Sequence, residues 1–343
     1  MNAPVIAAPD GPGSLWLRSK VFDAFLIFGV LAIALAMGMV ASISPALFLT
    51  VLTLDVWLFA YPHVTSTYTR IAFDRESIRR HWFLLLGLPP LVLAATSTVA
   101  ALWSVGGLFT VYFVWQTHHY TRQSFGIARA YRRKGPGAGA TDWLADAVIY
   151  AFPLWGLLHR AAQGHKEFYG YPLFLLNVPA FVAQGAGVVA IALGAAWAVR
   201  EARRWMNGDA HPGRAMFVAT HVFITTLSYV LFADITTGWL FINIWHNAQY
   251  LMFVWAQNAR RFADGANAHK SRFLAYLCQP RNALQYLAFC ILFGAAQYEL
   301  IKRGAEQLAW TMFPVILVLY LTVNFHHYLV DSVIWKRKVA GAT

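Results

Sequence analysis

The chain has 343 residues, of which 59% are apolar and only 12% are charged. Soluble globular proteins carry about 25% charged residues, so this composition excludes an ordinary soluble protein and predicts an integral membrane protein. The net charge of +12 comes from short basic clusters between apolar segments, a pattern that sets membrane topology and requires no nucleic-acid partner. Two cysteines, Cys278 and Cys290, are too few for a disulfide framework or a cysteine metal motif.

The segment over residues 1–15 is rich in proline and glycine, and we expect it to be a disordered tail. The rest, residues 16–338, is predicted to be a single transmembrane helical domain, because apolar stretches of about 20 residues recur throughout it. The predicted fold class is all-α, a polytopic integral membrane bundle of about ten transmembrane helices. These are predicted at residues 21–43, 46–71, 81–103, 106–131, 143–160, 174–199, 213–233, 236–260, 283–301 and 308–336.

The charged loops predict the orientation of these helices. A basic cluster follows every even-numbered helix, whereas most of the opposite loops are short and nearly uncharged. By the positive-inside rule, the even-numbered helices end in the cytoplasm, and both termini are cytoplasmic. The predicted location is therefore a multi-pass position in a membrane, which we take to be a bacterial inner membrane. The clusters begin at Arg70, Arg132, Arg200, Arg260 and Lys336.

Seven histidines are predicted to lie at one depth in the cytoplasmic half of the bundle. On helices two, four, eight and ten, they precede the basic cluster by roughly 10–20 Å, at a rise of 1.5 Å per residue. The histidine on helix seven follows Arg214 at a similar distance. Five helices thus bring histidines to one layer, which we interpret as a metal site. The candidate ligands are His63, His118, His119, His221, His246, His326 and His327.

Imidazole is the commonest protein metal ligand and suits iron, copper and zinc. One histidine from each of four helices would hold one metal ion, and six or seven histidines would hold two. Carboxylates are scarce at this depth, which argues against a di-iron site bridged by several glutamates and favours histidine-rich ligation. We therefore predict a transition-metal cofactor, iron, in a mononuclear or dinuclear site.

Three polar residues follow these histidines by one helical turn and share their helix faces. Gln123 follows His119, Tyr250 follows His246, and Asp331 follows His327. We take Gln123, Tyr250 and Asp331 as the candidate catalytic residues. A metal-bound imidazole usually donates its other N–H to a carboxylate, a carbonyl or water, so Asp331 is expected to orient His327. The alternative for Asp331 is a surface salt bridge with Lys336.

These features predict a membrane metalloenzyme, specifically an iron-dependent oxygenase or related oxidoreductase. Neutral imidazoles leave an iron ion cationic and Lewis acidic, and an open coordination position would admit dioxygen or substrate. The depth of the layer suits a hydrophobic lipid or isoprenoid substrate that enters from the bilayer. The expected partners are this substrate, membrane lipid and a redox partner on the cytoplasmic face.

Four short elements carry a resemblance to a known family, namely "YPHVTSTY", "HHYTRQSFG", "WHNAQY" and "FHHYLVD". They resemble elements of the bacterial Brp/Blh β-carotene 15,15'-dioxygenases, which are polytopic proteins with a Pro-His step and further helix histidines. The likeness covers these elements only, and the Pro62–His63 step lacks the glycine and acidic neighbours typical of that family. The resemblance implies retinal-forming cleavage of a carotenoid as one candidate reaction. Fatty-acid desaturases also carry many histidines, but this sequence lacks their HxxxH and HxxHH boxes.

Other functions fit parts of the pattern. A haem-binding electron carrier would use two of the histidines as axial ligands and leave the others without a role. A transporter or metal-ion permease is the third alternative, but many transporters are built from internal repeats, and the sequence has no convincing one. A single intramembrane histidine can also simply make an interhelical hydrogen bond.

Overall fold

The computed structural model describes residues 14–135, 141–264, 271–307 and 314–335, so most of the predicted disordered tail lies outside the described residues. The described chain is all-α apart from one short hairpin. Its helices are α1 Lys20–Ala41, α2 Pro45–Ile71, α3 Arg75–Leu102, α4 Val105–Arg132, α5 Trp143–Gln163, α6 Ala180–Met206, α7 Pro212–Leu231, α8 Ile235–Arg261, α9 Arg272–Leu277, α10 Pro280–Gln307 and α11 Val315–Ile334.

Among the described residues, seven of these helices are long and apolar enough to cross a membrane, namely α1, α2, α3, α6, α7, α10 and α11. Helices α4, α5 and α8 occupy the segments predicted at residues 106–131, 143–160 and 236–260. They are long enough to span a bilayer, but they are not among the helices that are also apolar enough. The all-α class and the apolar membrane helices are thus confirmed, whereas the number of crossings and the side of the termini stay predictions.

Several helix boundaries differ from the prediction by six residues or more, namely the starts of α3 and α6 and the ends of α6 and α10, and residues 308–313 of the last predicted helix lie outside the described residues. Two of these differences have a clear local cause. Helix α6 begins at Ala180 and not at residue 174, because Tyr171–Pro172 pairs with Glu167–Phe168 in a two-stranded antiparallel hairpin and an extended segment follows up to Pro179. Proline has no N–H and disfavours a helical conformation in the residue before it, so Pro179 marks the start of the helix. Helix α3 begins early because Asp74 caps it, accepting a hydrogen bond from the Ser77 amide at 2.9 Å.

A π-helical turn over Val56–Ala60 precedes His63 on α2. Pro62 has no N–H, so the carbonyl of Leu58 loses the donor that an α-helix would give it. The wider turn absorbs this defect, and the Tyr61 amide bonds to the Val56 carbonyl. Pro62 is therefore accommodated by a widened turn directly before the histidine.

The backbone contacts divide the chain into two compact units. Unit 1 comprises Met1–Thr53 and Phe113–Gln249, and unit 2 comprises Leu54–Tyr112 and Tyr250–Thr343. Within unit 1, α5 packs along α6 and against α7. Burial of apolar side chains from α5, α7 and α8 provides the core of this unit. Its fully buried members include Val148, Ile149, Phe217, Val218 and Trp245.

Within unit 2, α10 and α11 pack against the second half of α2, and α11 also packs against α3. Gly294 permits the close approach of α10, because a Cβ atom there would lie 3.1 Å from the Tyr61 backbone. Ile71, Leu84 and Val330 form a small buried cluster where α2, α3 and α11 meet. This packing holds the histidine of α2 beside the histidine pair of α11.

Unit 1 also contains a buried charge cluster at the start of α5. The Asp142 carboxylate accepts a hydrogen bond from the Ala145 amide at 3.2 Å. Arg200 donates to both of its oxygens at 2.6 and 3.1 Å, and an Arg214 nitrogen lies 2.9 Å from Oδ2. Burial alone would raise the pKa of Asp142, but the hydrogen bonds from Arg200 and Ala145 and the positive charge of Arg214 outweigh it. The pKa is therefore lowered below its ordinary value.

Candidate functional site

In unit 2, two histidines from different helices meet in the buried interior. The His63 side chain on α2 and the His327 side chain on α11 place their Nε2 atoms 2.7 Å apart. Both residues are almost fully shielded from solvent, with exposed fractions of 2% and 1%. The rings lie edge to face, with their centroids 4.5 Å apart. Helices α2 and α11 thus bring two of the predicted ligands, His63 and His327, into contact.

A chain of hydrogen bonds leads away from the other ring nitrogen of His327. Its Nδ1 lies 2.9 Å from the Thr67 hydroxyl, which is 2.8 Å from the Tyr250 hydroxyl. The Tyr250 hydroxyl donates to the Asp331 carboxyl oxygen Oδ1 at 2.5 Å. The indole N–H of Trp335 also faces the Tyr250 hydroxyl, at 3.4 Å. Of the three predicted catalytic residues, Tyr250 and Asp331 thus lie in one network with His327.

The direction of this chain follows from the acceptor at its end. Tyr250 donates its single proton to Asp331, so the proton between the Thr67 and Tyr250 hydroxyl oxygens belongs to Thr67. The Thr67 oxygen then accepts from Nδ1–H of His327. This tautomer leaves the Nε2 lone pair of His327 pointing towards His63, which is the protonation state that a metal ligand needs.

His326, next to His327 on α11, is positioned differently. Its Nε2 lies 2.7 Å from the Leu84 carbonyl oxygen, and its Nδ1 lies 3.4 Å from the Tyr68 hydroxyl. A neutral imidazole has one donor and one acceptor, and these two contacts use both. His326 is thereby tied to α3 and α2, and His327 is the member of the pair that reaches His63.

Unit 1 contains a second histidine pair, His119 on α4 and His246 on α8. Both side chains are buried, and their rings lie edge to face with centroids 4.9 Å apart. The ring of Tyr120 lies 4.1 Å from that of His246 between centroids. Gln123, the third predicted catalytic residue, donates its side-chain N–H to the backbone carbonyl of His246 at 3.1 Å. Gln123 therefore supports the backbone of α8 at this level.

Neutral amide and phenol groups surround this second pair. The Tyr120 hydroxyl donates to the Asn243 side-chain oxygen at 2.5 Å, and Gln116 donates to the same oxygen at 3.4 Å. The Trp239 indole N–H donates to the Gln116 oxygen at 2.7 Å. This network links α4 to α8 within two turns of His119 and His246, so it fixes the spacing of the two helices that carry the pair.

Two predicted ligands lie apart from these pairs. His118 is exposed on α4. His221 on α7 is buried, but its Nε2 lies 3.0 Å from the Ile149 carbonyl oxygen, which acts as an interhelical acceptor. Of the seven predicted ligands, four have a ring in contact with another predicted ligand of the same unit. These are His63, His327, His119 and His246.

The donor set of unit 2 fits a transition metal by its chemistry. Two imidazole nitrogens 2.7 Å apart can both reach one ion at the usual nitrogen–metal distance of about 2.0–2.1 Å. Thr67, Tyr250 and Asp331 provide the outer hydrogen bonds that usually fix the tautomer and ring orientation of a ligating histidine. His63 and His327 would hold the ion in this unit.

Six residues of the two networks were not among the predicted site residues, namely Thr67, Gln116, Tyr120, Trp239, Asn243 and Trp335. Thr67 lies four residues after His63, and Asn243 lies three residues before His246, so both share a helix face with a histidine. That spacing was the available signal. Other polar residues have the same spacing from a histidine. The spacing therefore suggests which residues could join a network, but it does not show which groups they bond to.

Comparisons with protein-family models, with curated proteins and with solved structures find no match for this chain.

Proposed function

We propose that this protein is a membrane-embedded, histidine-ligated metalloenzyme, an iron-dependent oxygenase or related oxidoreductase that acts on a lipophilic substrate. The observation that carries the proposal is the buried His63–His327 pair, whose ring nitrogens are 2.7 Å apart. Without an ion, one of these two nitrogens donates its proton to the other, and a metal ion that displaces this proton would use the lone pairs of both.

Bound iron would supply Lewis acidity and redox capacity that no side chain of the protein can supply. The protein's own residues bind and orient. His63 and His327 are the proposed ligands of unit 2, and His119 and His246 are the proposed ligands of unit 1. Thr67 holds the proton of His327 on Nδ1, and Asp331 keeps the Tyr250 hydroxyl directed away from the imidazole. Tyr250 connects Asp331 to Thr67 through its hydroxyl oxygen, which accepts the Thr67 proton.

The membrane setting defines the kind of substrate. All four proposed ligands lie on long helices within an apolar chain, so the substrate is a hydrophobic lipid or isoprenoid that enters from the bilayer. We propose ten crossings, with both termini in the cytoplasm of a bacterium, and a redox partner on that face. Carotenoid cleavage is the candidate reaction suggested by the four short elements that resemble the Brp/Blh family.

The test is elemental analysis of detergent-purified protein, and α11 provides a matched pair of variants. We expect His327→Ala to lose the iron of unit 2 and to keep any iron of unit 1, because it removes a ligand of the unit 2 ion only. His326→Ala removes an adjacent buried imidazole whose two nitrogens bond to Leu84 and Tyr68, and it should retain the metal. Equal metal content in the wild type and His327→Ala would overturn the proposal.

The visible absorption spectrum of the same samples separates iron bound only by histidines from haem. A haem protein shows an intense Soret band that shifts on reduction, and such a band would replace the proposal with the electron-carrier alternative. We expect no Soret band in the purified protein and an iron signal that disappears on treatment with a chelator.

A further inference from the structure

Arg70 lies at the end of α2, three residues after Thr67 and seven after His63. Its guanidinium carbon is 5.1 Å from the ring centroid of Trp335, close enough for a cation–π contact. One terminal nitrogen donates to the Asn258 side-chain oxygen at 3.2 Å. The half-buried Arg70 side chain is therefore fixed in position beside the hydrogen-bonded network of unit 2.

The charge of Arg70 is not neutralised within the part of the chain that the structure describes. No described carboxylate forms an ion pair with it, and its buried Nε has no described hydrogen-bond acceptor. The neighbouring Arg261 differs, because it bonds to the Asp74 carboxylate and the Ser77 hydroxyl at 2.8 Å each. A guanidinium has five N–H donors, and an uncompensated charge in a half-buried position is costly. An anion would satisfy both requirements.

We infer that Arg70 binds the anionic headgroup, a carboxylate or a phosphate, of a lipophilic ligand. Arginine is suited to this role because its planar fork matches the two oxygens of either group. The indole of Trp335 packs against the guanidinium and directs its N–H towards the Tyr250 hydroxyl. The headgroup position thus adjoins the relay that leads to His327.

The position of Arg70 also indicates which part of the substrate lies beside the histidines. This inference rests on the proposed function. Seven residues of helix separate Arg70 from His63, which is about 10 Å along the axis. A ligand anchored by its charged head at Arg70 would therefore place the middle of its chain, and not its acid end, beside the histidines. The substrate class is then an amphipathic acid or phosphate that reacts along its hydrocarbon chain.

The test is calorimetric titration of the detergent-purified protein with palmitate, and with palmityl alcohol as the uncharged probe. We expect palmitate to bind the wild type at least tenfold more tightly than it binds Arg70→Gln, because a bidentate charge-assisted contact is lost. The control Arg79→Gln removes an exposed positive charge from α3 and should bind palmitate like the wild type. Competition by phosphatidylglycerol would identify membrane lipid as the source of the headgroup, and its failure would identify a free acid.

Equal palmitate affinity in the wild type and Arg70→Gln, or equal binding of the alcohol and the acid, would overturn the inference. If Arg70→Gln fails to fold, photolabelling of the wild type with a fatty acid that carries a diazirine near its carboxyl group decides the question. Labelling of peptides containing Arg70 or Trp335 supports the site, and labelling only elsewhere refutes it. Metal content is measured on the same samples, so a protein that binds palmitate without iron would refute the metalloenzyme and leave the headgroup site intact.

Discussion

Each unit contains a pair of buried histidines, but the two pairs differ in the groups that hold them. In unit 2, the rings of His63 and His327 meet nitrogen to nitrogen, and the relay from His327 ends at the Asp331 carboxyl group. In unit 1, the rings of His119 and His246 lie edge to face, as those of unit 2 do, and the Tyr120 ring lies beside His246. A hydrogen-bonded relay thus reaches the His327 ring itself, whereas the described network of unit 1 joins the helices that carry His119 and His246.

This contrast has a chemical consequence. A carboxylate at the end of a relay selects one direction for every proton between itself and the imidazole, because it cannot donate. Amide and phenol groups can donate and accept, so they fix the distance between helices without selecting a tautomer. Unit 2 therefore has the more strongly specified histidine pair, and the following predictions test that specification.

The largest effect is expected from Thr67→Val, which removes the acceptor for Nδ1–H of His327 but keeps the shape of the side chain. Loss of an outer partner of a ligating histidine typically weakens metal binding by about 10- to 100-fold. Thr67→Ser retains the hydroxyl and should restore binding, whereas in unit 1 Gln123→Leu loses only a contact to a backbone carbonyl and should have a smaller effect. Competition with a chelator measures the affinities. Equal affinities in Thr67→Val and Thr67→Ser would show that the hydroxyl has no orienting role.

A smaller effect, on stability, is expected from the two buried tyrosines. Tyr250→Phe removes the donor to the Asp331 carboxyl group and should destabilise the protein by about 1.5–3 kcal/mol, the range for hydrogen bonds to charged groups. Tyr120→Phe removes the donor to the neutral Asn243 amide and should cost about 0.5–1.5 kcal/mol. The apparent Tm, followed by circular dichroism at one heating rate, measures both changes. A larger decrease in the apparent Tm for Tyr120→Phe than for Tyr250→Phe would contradict this expected order.

The smallest expected effect is a change in the pH dependence of stability, caused by Asp142 and its arginine partners in unit 1. The pKa of Asp142 is lowered in the folded protein, so its charge stabilises the fold above the pKa of the unfolded chain. This stabilisation is lost as the pH falls through the lowered pKa. The apparent Tm of the wild type should therefore fall on acidification, and Asp142→Asn should have a lower Tm at neutral pH and a shallower acid dependence.

The exposed pair of Glu76 and Arg80 provides the control for this pH series. Its side chains are about half exposed, at 47% and 56%, and such surface pairs contribute less than about 1 kcal/mol. Glu76→Gln should leave the acid dependence close to that of the wild type. Parallel pH curves for the wild type and Asp142→Asn would contradict the assigned role of the arginines around Asp142.

Much of the fold could be predicted because apolar length and helical spacing are local properties. The helix predicted at 46–71 is found at Pro45–Ile71, and that predicted at 106–131 is found at Val105–Arg132. The start of the helix predicted at 174–199 was placed six residues before the observed start at Ala180, because the apolar residues before Ala180 suit a helix and an extended segment equally. Pro179 was the signal that could have placed its start correctly.

The site could be predicted only in part. The sequence indicated that His63, Tyr250, His327 and Asp331 face inward, since each stands on a polar stripe of an apolar helix. It could not separate His326 from His327, because adjacent residues differ by about 100° around a helix and either could face the bundle. The acceptor at Leu84 comes from a distant part of the chain, so its contact with His326 is invisible in the sequence near α11.

The sequence by itself determined that the protein is an all-α chain with apolar membrane helices and that histidines recur on several of them. Composition and periodicity suffice for this prediction, because an apolar stretch of helical length is what a membrane-spanning helix requires. Only the tertiary structure decided that His63 meets His327, that Thr67 and Tyr250 connect His327 to Asp331, and that Arg70 lies over Trp335. These contacts join residues from separate helices, and their geometry depends on how those helices pack, which local sequence patterns do not encode.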